Sequence, residues 1–214
     1  MSSESSVDSD HISRNVLASP ACSEAFGRMF WAFPFYIDFN ITVGRVSVDL
    51  LPDLVGWILV ITALGKILEL SARVADLQEI GFWMLFFSIF SFIEIDIRWF
   101  EDWLISPADL LSFVGTILRL LFIWWLGGLI MNMARVAGDD SIYAKADFRR
   151  TLNVVLAFST VFMMLLVQLV PATAILLLIG LLPFSVIVFA LLMGLMSGAK
   201  EMCRRFAASA IDGQ

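Results

Sequence analysis

Four ionisable residues of this chain lie within or beside apolar runs. Asp38 follows "MFWAFPFYI", Glu94 sits in "FIEIDI", Asp109 in "ISPADLL", and Arg119 between "LLSFVGTIL" and "LLFIWWLGG". An ionisable group at mid-membrane costs roughly 3 kcal/mol on insertion scales, so it faces protein or water and takes a partner. Two kinds of chemistry are open to such a set. One is a polar path for a cation or polar solute; the other is a buried ion pair that holds helices in register, which is the preferred reading. Asp109 precedes Arg119 by about 15 Å of helix rise, so the two cannot meet within one helix. Asp38 and Glu94, from neighbouring spans, are the expected partners of Arg119.

The stretch "SVDLLPDLVGW" at residues 47–57 places two more carboxylates where an apolar segment begins. Proline is favoured at the first helical position, and a carboxylate in the first turn offsets the positive end of the helix dipole. Pro52 and Asp53, with Gly56 after them, therefore read as a helix start, and Asp49 as an outer-loop residue. "SPAD" at residues 106–109 repeats the arrangement, with Ser106 as N-cap and Pro107 at the first position. Ala190, Gly194 and Gly198 recur every fourth residue, a small-residue stripe that lets helices approach closely. Asn153, Ser159, Thr160 and Gln168 read as interhelical hydrogen-bonding groups.

Enzyme signatures are missing. His11 is the one histidine and lies near the N-terminus, so no histidine-dependent triad or zinc site is expected. "GLMSG" at 194–198 has the look of a serine-hydrolase turn but the wrong spacing and no base, and there is no phosphate-binding loop. Cys22 and Cys203, both assigned to the cytoplasmic side, are expected as reduced thiols, with neither a disulfide framework nor a cysteine metal site. A net charge of −6 and a pI near 4.7 argue against a nucleic-acid partner. No catalytic role, cofactor or metal is expected.

The elements that must position these residues are membrane spans. The chain has 214 residues, 60% of them hydrophobic and 16% charged, with mean hydropathy +0.89. Soluble domains carry nearer a quarter charged residues. Residues 151–199 contain no charge, room for two spans of about 20 residues and a turn. The expected fold is all-α, a polytopic bundle of about six spans: Phe26–Thr42, Leu54–Leu70, Gly81–Ile95, Leu110–Met131, Leu152–Val170 and Thr173–Ser197. Residues 1–24 read as a disordered cytoplasmic tail, 25–199 as the transmembrane domain, and 200–214 as a cytoplasmic C-terminal tail.

Orientation follows from the basic residues, because cytoplasmic loops carry the excess of Lys and Arg. With both ends inside, eleven of the fourteen fall on the inner side, Arg45 and Arg98 on the outer, and Arg119 within a span. Eight acids then gather on the outer half; acids are also what remains when basic residues are kept inside. Trp57, Trp99 and Trp103 are expected near the outer boundary and Trp83 near the inner one. Trp31, Trp124 and Trp125 are expected to pack more deeply.

The first two hairpins resemble each other: "FYIDFN" then "LLPDLVGWIL", and "FIEIDIRWF" then "ISPADLLSFVGTIL". Both run in the same direction, as in a parallel duplication. Asp38, Phe39, Leu51, Pro52, Asp53 and Gly56 form an Asp-Phe…Leu-Pro-Asp-x-x-Gly pattern. It resembles one found in small, uncharacterised bacterial multi-pass membrane proteins, over about 35 residues. That resemblance implies a bacterial inner-membrane setting and assigns no activity. The expected function is a non-enzymatic subunit or assembly factor in contact with the lipid bilayer, with a membrane-protein partner or a second copy of the chain. The alternative is a small transporter or channel for a cation or polar solute, with an acidic outer vestibule.

Overall fold

The computed structural model describes residues 12–36, 40–43, 46–49, 53–92, 107–169 and 174–212. Among the described residues are seven α-helices: α1 (Arg14–Leu17), α2 (Pro20–Ala32), α3 (Asp53–Gly65), α4 (Ala72–Phe92), α5 (Pro107–Ala137), α6 (Asp140–Leu169) and α7 (Ala174–Asp212). Two 3-10 turns, Phe33–Tyr36 and Leu68–Leu70, follow α2 and α3. A short antiparallel hairpin, β1 (Asn40–Val43) and β2 (Val46–Asp49), pairs Asn40 with Asp49 and Val43 with Val46.

Local chemistry sets several boundaries. Pro20 opens α2 behind Ser19, where its missing N–H removes nothing the helix needs. Pro34 has no N–H to donate to the carbonyl four residues before it, and the helix tightens to a 3-10 turn there. The expected first span, Phe26–Thr42, is therefore not one helix: it ends as α at Ala32, and Thr42 lies in β1. Gly138 adopts φ +73°, a left-handed cap that suits glycine. Its N–H donates to the Arg135 carbonyl at 3.3 Å, and the Asp139 N–H to the Ala134 carbonyl at 2.9 Å. Asp139 Oδ1 then accepts from the Ile142 N–H at 3.0 Å and starts α6. The result is a tight α5–α6 hairpin.

The helices close a ring in chain order. Each of α2 to α7 packs on the next, and α7 packs back on α2. The dry core is built from Phe26 and Met29 of α2, Trp57 and Leu64 of α3, Leu77 of α4, Leu126, Leu129, Ile130 and Met133 of α5, and Leu195 and Met196 of α7. Two stretches, Val114–Ala137 and Val186–Ile211, are long and apolar enough to cross a membrane. Six spans are thus not established among the described residues; α3 is apolar but short.

Residues 1–11 of the expected N-terminal tail lie outside the described residues, while the described parts of both tails are largely helical. Residues 12–24 are ordered: Ile12, Leu17 and Cys22 are buried, and the Ser13 N–H donates to the Leu70 carbonyl at 2.9 Å. Burying apolar side chains of this kind contributes about 1.5–3 kcal/mol each toward holding the segment in place. At the other end, α7 runs on to Asp212, and Met202 and Cys203 are buried against the bundle. The two cysteines, expected as separate thiols, are joined in a disulfide that ties α2 to α7, with Cα atoms 6.1 Å apart across 181 residues of sequence.

Candidate functional site

Arg119 finds its partner in Asp53. Arg119 Nη2 donates to Asp53 Oδ2 at 2.9 Å, 66 residues away in the chain. Asp53 is the first residue of α3, and Arg119 lies about 18 Å along α5 from its start. Asp53 thus combines the first-turn position expected of it with an ion pair. The side chains are 40% (Arg119) and 23% (Asp53) exposed, so the pair lies at the edge of the protein interior. One turn on, Trp57 of α3 is buried and meets Phe122 of α5 edge to face, centroids 5.2 Å apart. α3 and α5 are both neighbours of α4 in the ring. Charge and aromatic contacts at successive turns therefore clamp them to each other.

The other expected residues are placed as follows. Asp38 and Glu94, the expected partners of Arg119, lie outside the described residues. Asp109 lies in the first turn of α5, whose first residue is Pro107. Pro52 lies outside the described residues, and Gly56 is buried in α3. Gly194 and Gly198 face α6: a Cβ on Gly194 would meet the Arg149 guanidinium at 3.6 Å, and one on Gly198 the Ile142 Cδ1 at 2.8 Å. Ala190 is exposed. In the first half of the expected repeat, α2 and its 3-10 turn are followed by the β hairpin; the corresponding stretch of the second half, after Phe92, lies outside the described residues. Of the tryptophans, Trp31, expected to pack, is 66% exposed, and Trp57 is buried between helices.

A second polar cluster, on one turn of α6, gave no motif in the sequence. Arg150 lies along Gly127 of α5, where an added Cβ would come within 3.2 Å of its Cβ and Cδ. Its guanidinium covers the Trp124 ring at 3.7 Å from the centroid, a cation–π geometry. At Gly128 an added Cβ would meet Arg73 Nη1 at 3.6 Å and Arg150 Nη1 at 3.8 Å. Two guanidinium groups from α4 and α6 thus converge over a side-chain-free patch of α5. Asp147 approaches Arg150 Nη2 at 3.5 Å but is itself half exposed. Arg149, the preceding residue, turns to α7, and its burial pushes its pKa down. Arg149 Nη1, Arg150 Nε and Asn153 Nδ2 are buried with no hydrogen-bond partner among the described residues.

The cluster lies where the outer surface changes character. Towards the α5–α6 turn the exposed residues include Arg135, Asp140, Lys145 and Asp147. In the other direction they are Trp124 and Trp125 of α5, Val155, Phe158 and Phe162 of α6, and Val186 and Ile187 of α7. Elsewhere, Glu24 of α2 pairs with Lys66, beyond α3, and with Arg28. The Lys66 hydrogen bond, then that of Arg28, hold its carboxyl below the ordinary value of 4.5.

Among the described residues no group of three or more His, Cys, Asp or Glu side chains is placed to hold a metal ion. Comparison with family models, with curated proteins and with solved structures finds no match for this chain.

Proposed function

We propose that this chain is an integral membrane protein that acts as a non-catalytic subunit or assembly factor. One observation carries the membrane part of that reading. The two stretches able to cross a bilayer are only 28% and 39% buried by the protein itself, whereas a core helix of a soluble fold is mostly buried. Ile117, Leu121, Trp124 and Trp125 of the first and Val186 and Ile187 of the second, with Phe82, Trp83 and Phe86 of α4, are exposed, which suits lipid and costs heavily in water. The non-catalytic part rests on the Asp53–Arg119 pair, whose charges compensate each other and brace α3 against α5. Such a pair serves packing more directly than it serves a reacting group.

Membrane fractions washed at alkaline pH are expected to retain the protein; release into the wash would sink the membrane reading. Purification in mild detergent is expected to bring down a stable partner protein in fixed ratio. The transport alternative draws on Arg119, which keeps 40% of its side chain exposed. Cation uptake into liposomes that is abolished by Asp38→Asn, with no partner recovered, would favour it.

A further inference from the structure

We propose that Arg28, Lys66 and Lys200, gathered from three neighbouring parts of the ring, form a docking surface for the headgroups of anionic phospholipids. The proposal rests on the membrane reading above. Three features point there. First, cations outnumber acids in the group. Glu24 pairs with both Arg28 and Lys66, whereas Lys200 makes no ion pair among the described residues. Glu201, the residue after it, is taken up by Arg204 and Arg205. The group thus keeps a surplus of positive charge in a chain whose net charge is −6, so any attraction to an anionic surface has to be local.

Second, the cations are held side by side and open to the outside. Glu24 links α2 to Lys66, just beyond the end of α3. On the other flank, the Lys200 side chain of α7 lies along Gly27 of α2. A Cβ added at Gly27 would be 3.6 Å from its Cδ and 3.7 Å from its Nζ. That brings the ammonium group to the turn of α2 that carries Glu24 and Arg28. The Arg28 and Lys66 side chains are 41% and 31% exposed, and Lys200 is exposed. A headgroup reaches such a surface from the bilayer itself, and its phosphate oxygens suit both the arginine fork and the lysine point charge.

Third, the outer surface changes character here. Trp31, one turn on from Arg28, is 66% exposed. Further along the same side of the group, Ile58 of α3 and Val186 and Ile187 of α7 are exposed as well. In the opposite direction the exposed residues include Arg14, Glu69, Arg204 and Arg205. Cations bordered by an indole on their apolar side match the level of lipid headgroups.

Short-chain phosphatidylglycerol is titrated into the full chain in mild detergent while the thermal midpoint is followed. Short-chain phosphatidylcholine and free glycerol phosphate serve as comparisons. Phosphatidylglycerol is expected to raise the midpoint saturably and the other two are not. Apparent affinity should weaken about fivefold in Lys200→Gln and about 25-fold in Arg28→Gln/Lys200→Gln, at one surface charge per step. It should persist in Arg204→Gln/Arg205→Gln, and tighten about fivefold in Glu24→Gln, which a merely structural role would not produce. Lys200→Gln breaks no ion pair among the described residues, so it and Glu24→Gln decide the matter if the double variant fails to fold. An equal rise with phosphatidylcholine or glycerol phosphate, or an unchanged affinity in Lys200→Gln, overturns the proposal. A chain retained by alkaline-washed membranes but indifferent to phosphatidylglycerol loses this surface alone; release into the wash overturns the membrane reading and the surface with it.

Discussion

At the scale of single residues, the informative group is Arg119. An arginine within an apolar run needs a partner, and Asp53 supplies it at 2.9 Å. Breaking the pair from either side should cost more than a surface ion pair and less than a fully buried one, about 1–3 kcal/mol. Arg119→Gln and Asp53→Asn should therefore each lower the thermal midpoint, and together cost less than their sum. Additive losses in that double-mutant cycle would mean that the two charges do not interact. Glu24 gives a pH-dependent counterpart. Its folded pKa is depressed by Lys66 and Arg28, so its contribution is present above 4.5 and disappears as pH falls through the folded value. Wild type should be more stable than Glu24→Gln at neutral pH, with the gap closing in acid below 4.5. A gap that is constant with pH would contradict this.

At the scale of elements, glycines show where helices touch. Gly127 meets the base of the Arg150 side chain, so Gly127→Ala must push α6 from α5 by a few tenths of an ångström. Gly198 meets only the far end of Ile142, which can rotate away. Gly115 has open space around it, and an alanine there gains helix propensity of about 0.5–1 kcal/mol. Thermal midpoints should rank Gly115→Ala above wild type and Gly198→Ala above Gly127→Ala. The reverse order for the last two would remove the close α5–α6 contact. The helix starts at Asp53 and Pro107 rest on local chemistry, proline and a first-turn acid, and so were readable in advance. The break after Ala32 also had its signal in Pro34, but the long apolar run around it masked the change of geometry.

At the scale of the whole molecule, ring closure brings α2 beside α7 and joins Cys22 to Cys203. Protease digestion without reductant should release one cross-linked peptide pair containing both cysteines, separated by reduction. Two independently alkylated peptides from unreduced protein would contradict the joined state. The long apolar stretches, the absence of charge from 151 to 199 and the need of Arg119 for a partner follow from composition and order along the chain. Such features are local sums, and a helix long enough to cross a membrane needs nothing beyond its own residues. Which carboxylate answers Arg119, why residues 12–24 are ordered, and how Arg73 meets Arg150 over Gly128 depend on distant segments packing together. No spacing encodes a contact across 66 residues. Only the closure of the ring decided these, because it sets which buried donors and charges face each other once the helices are packed.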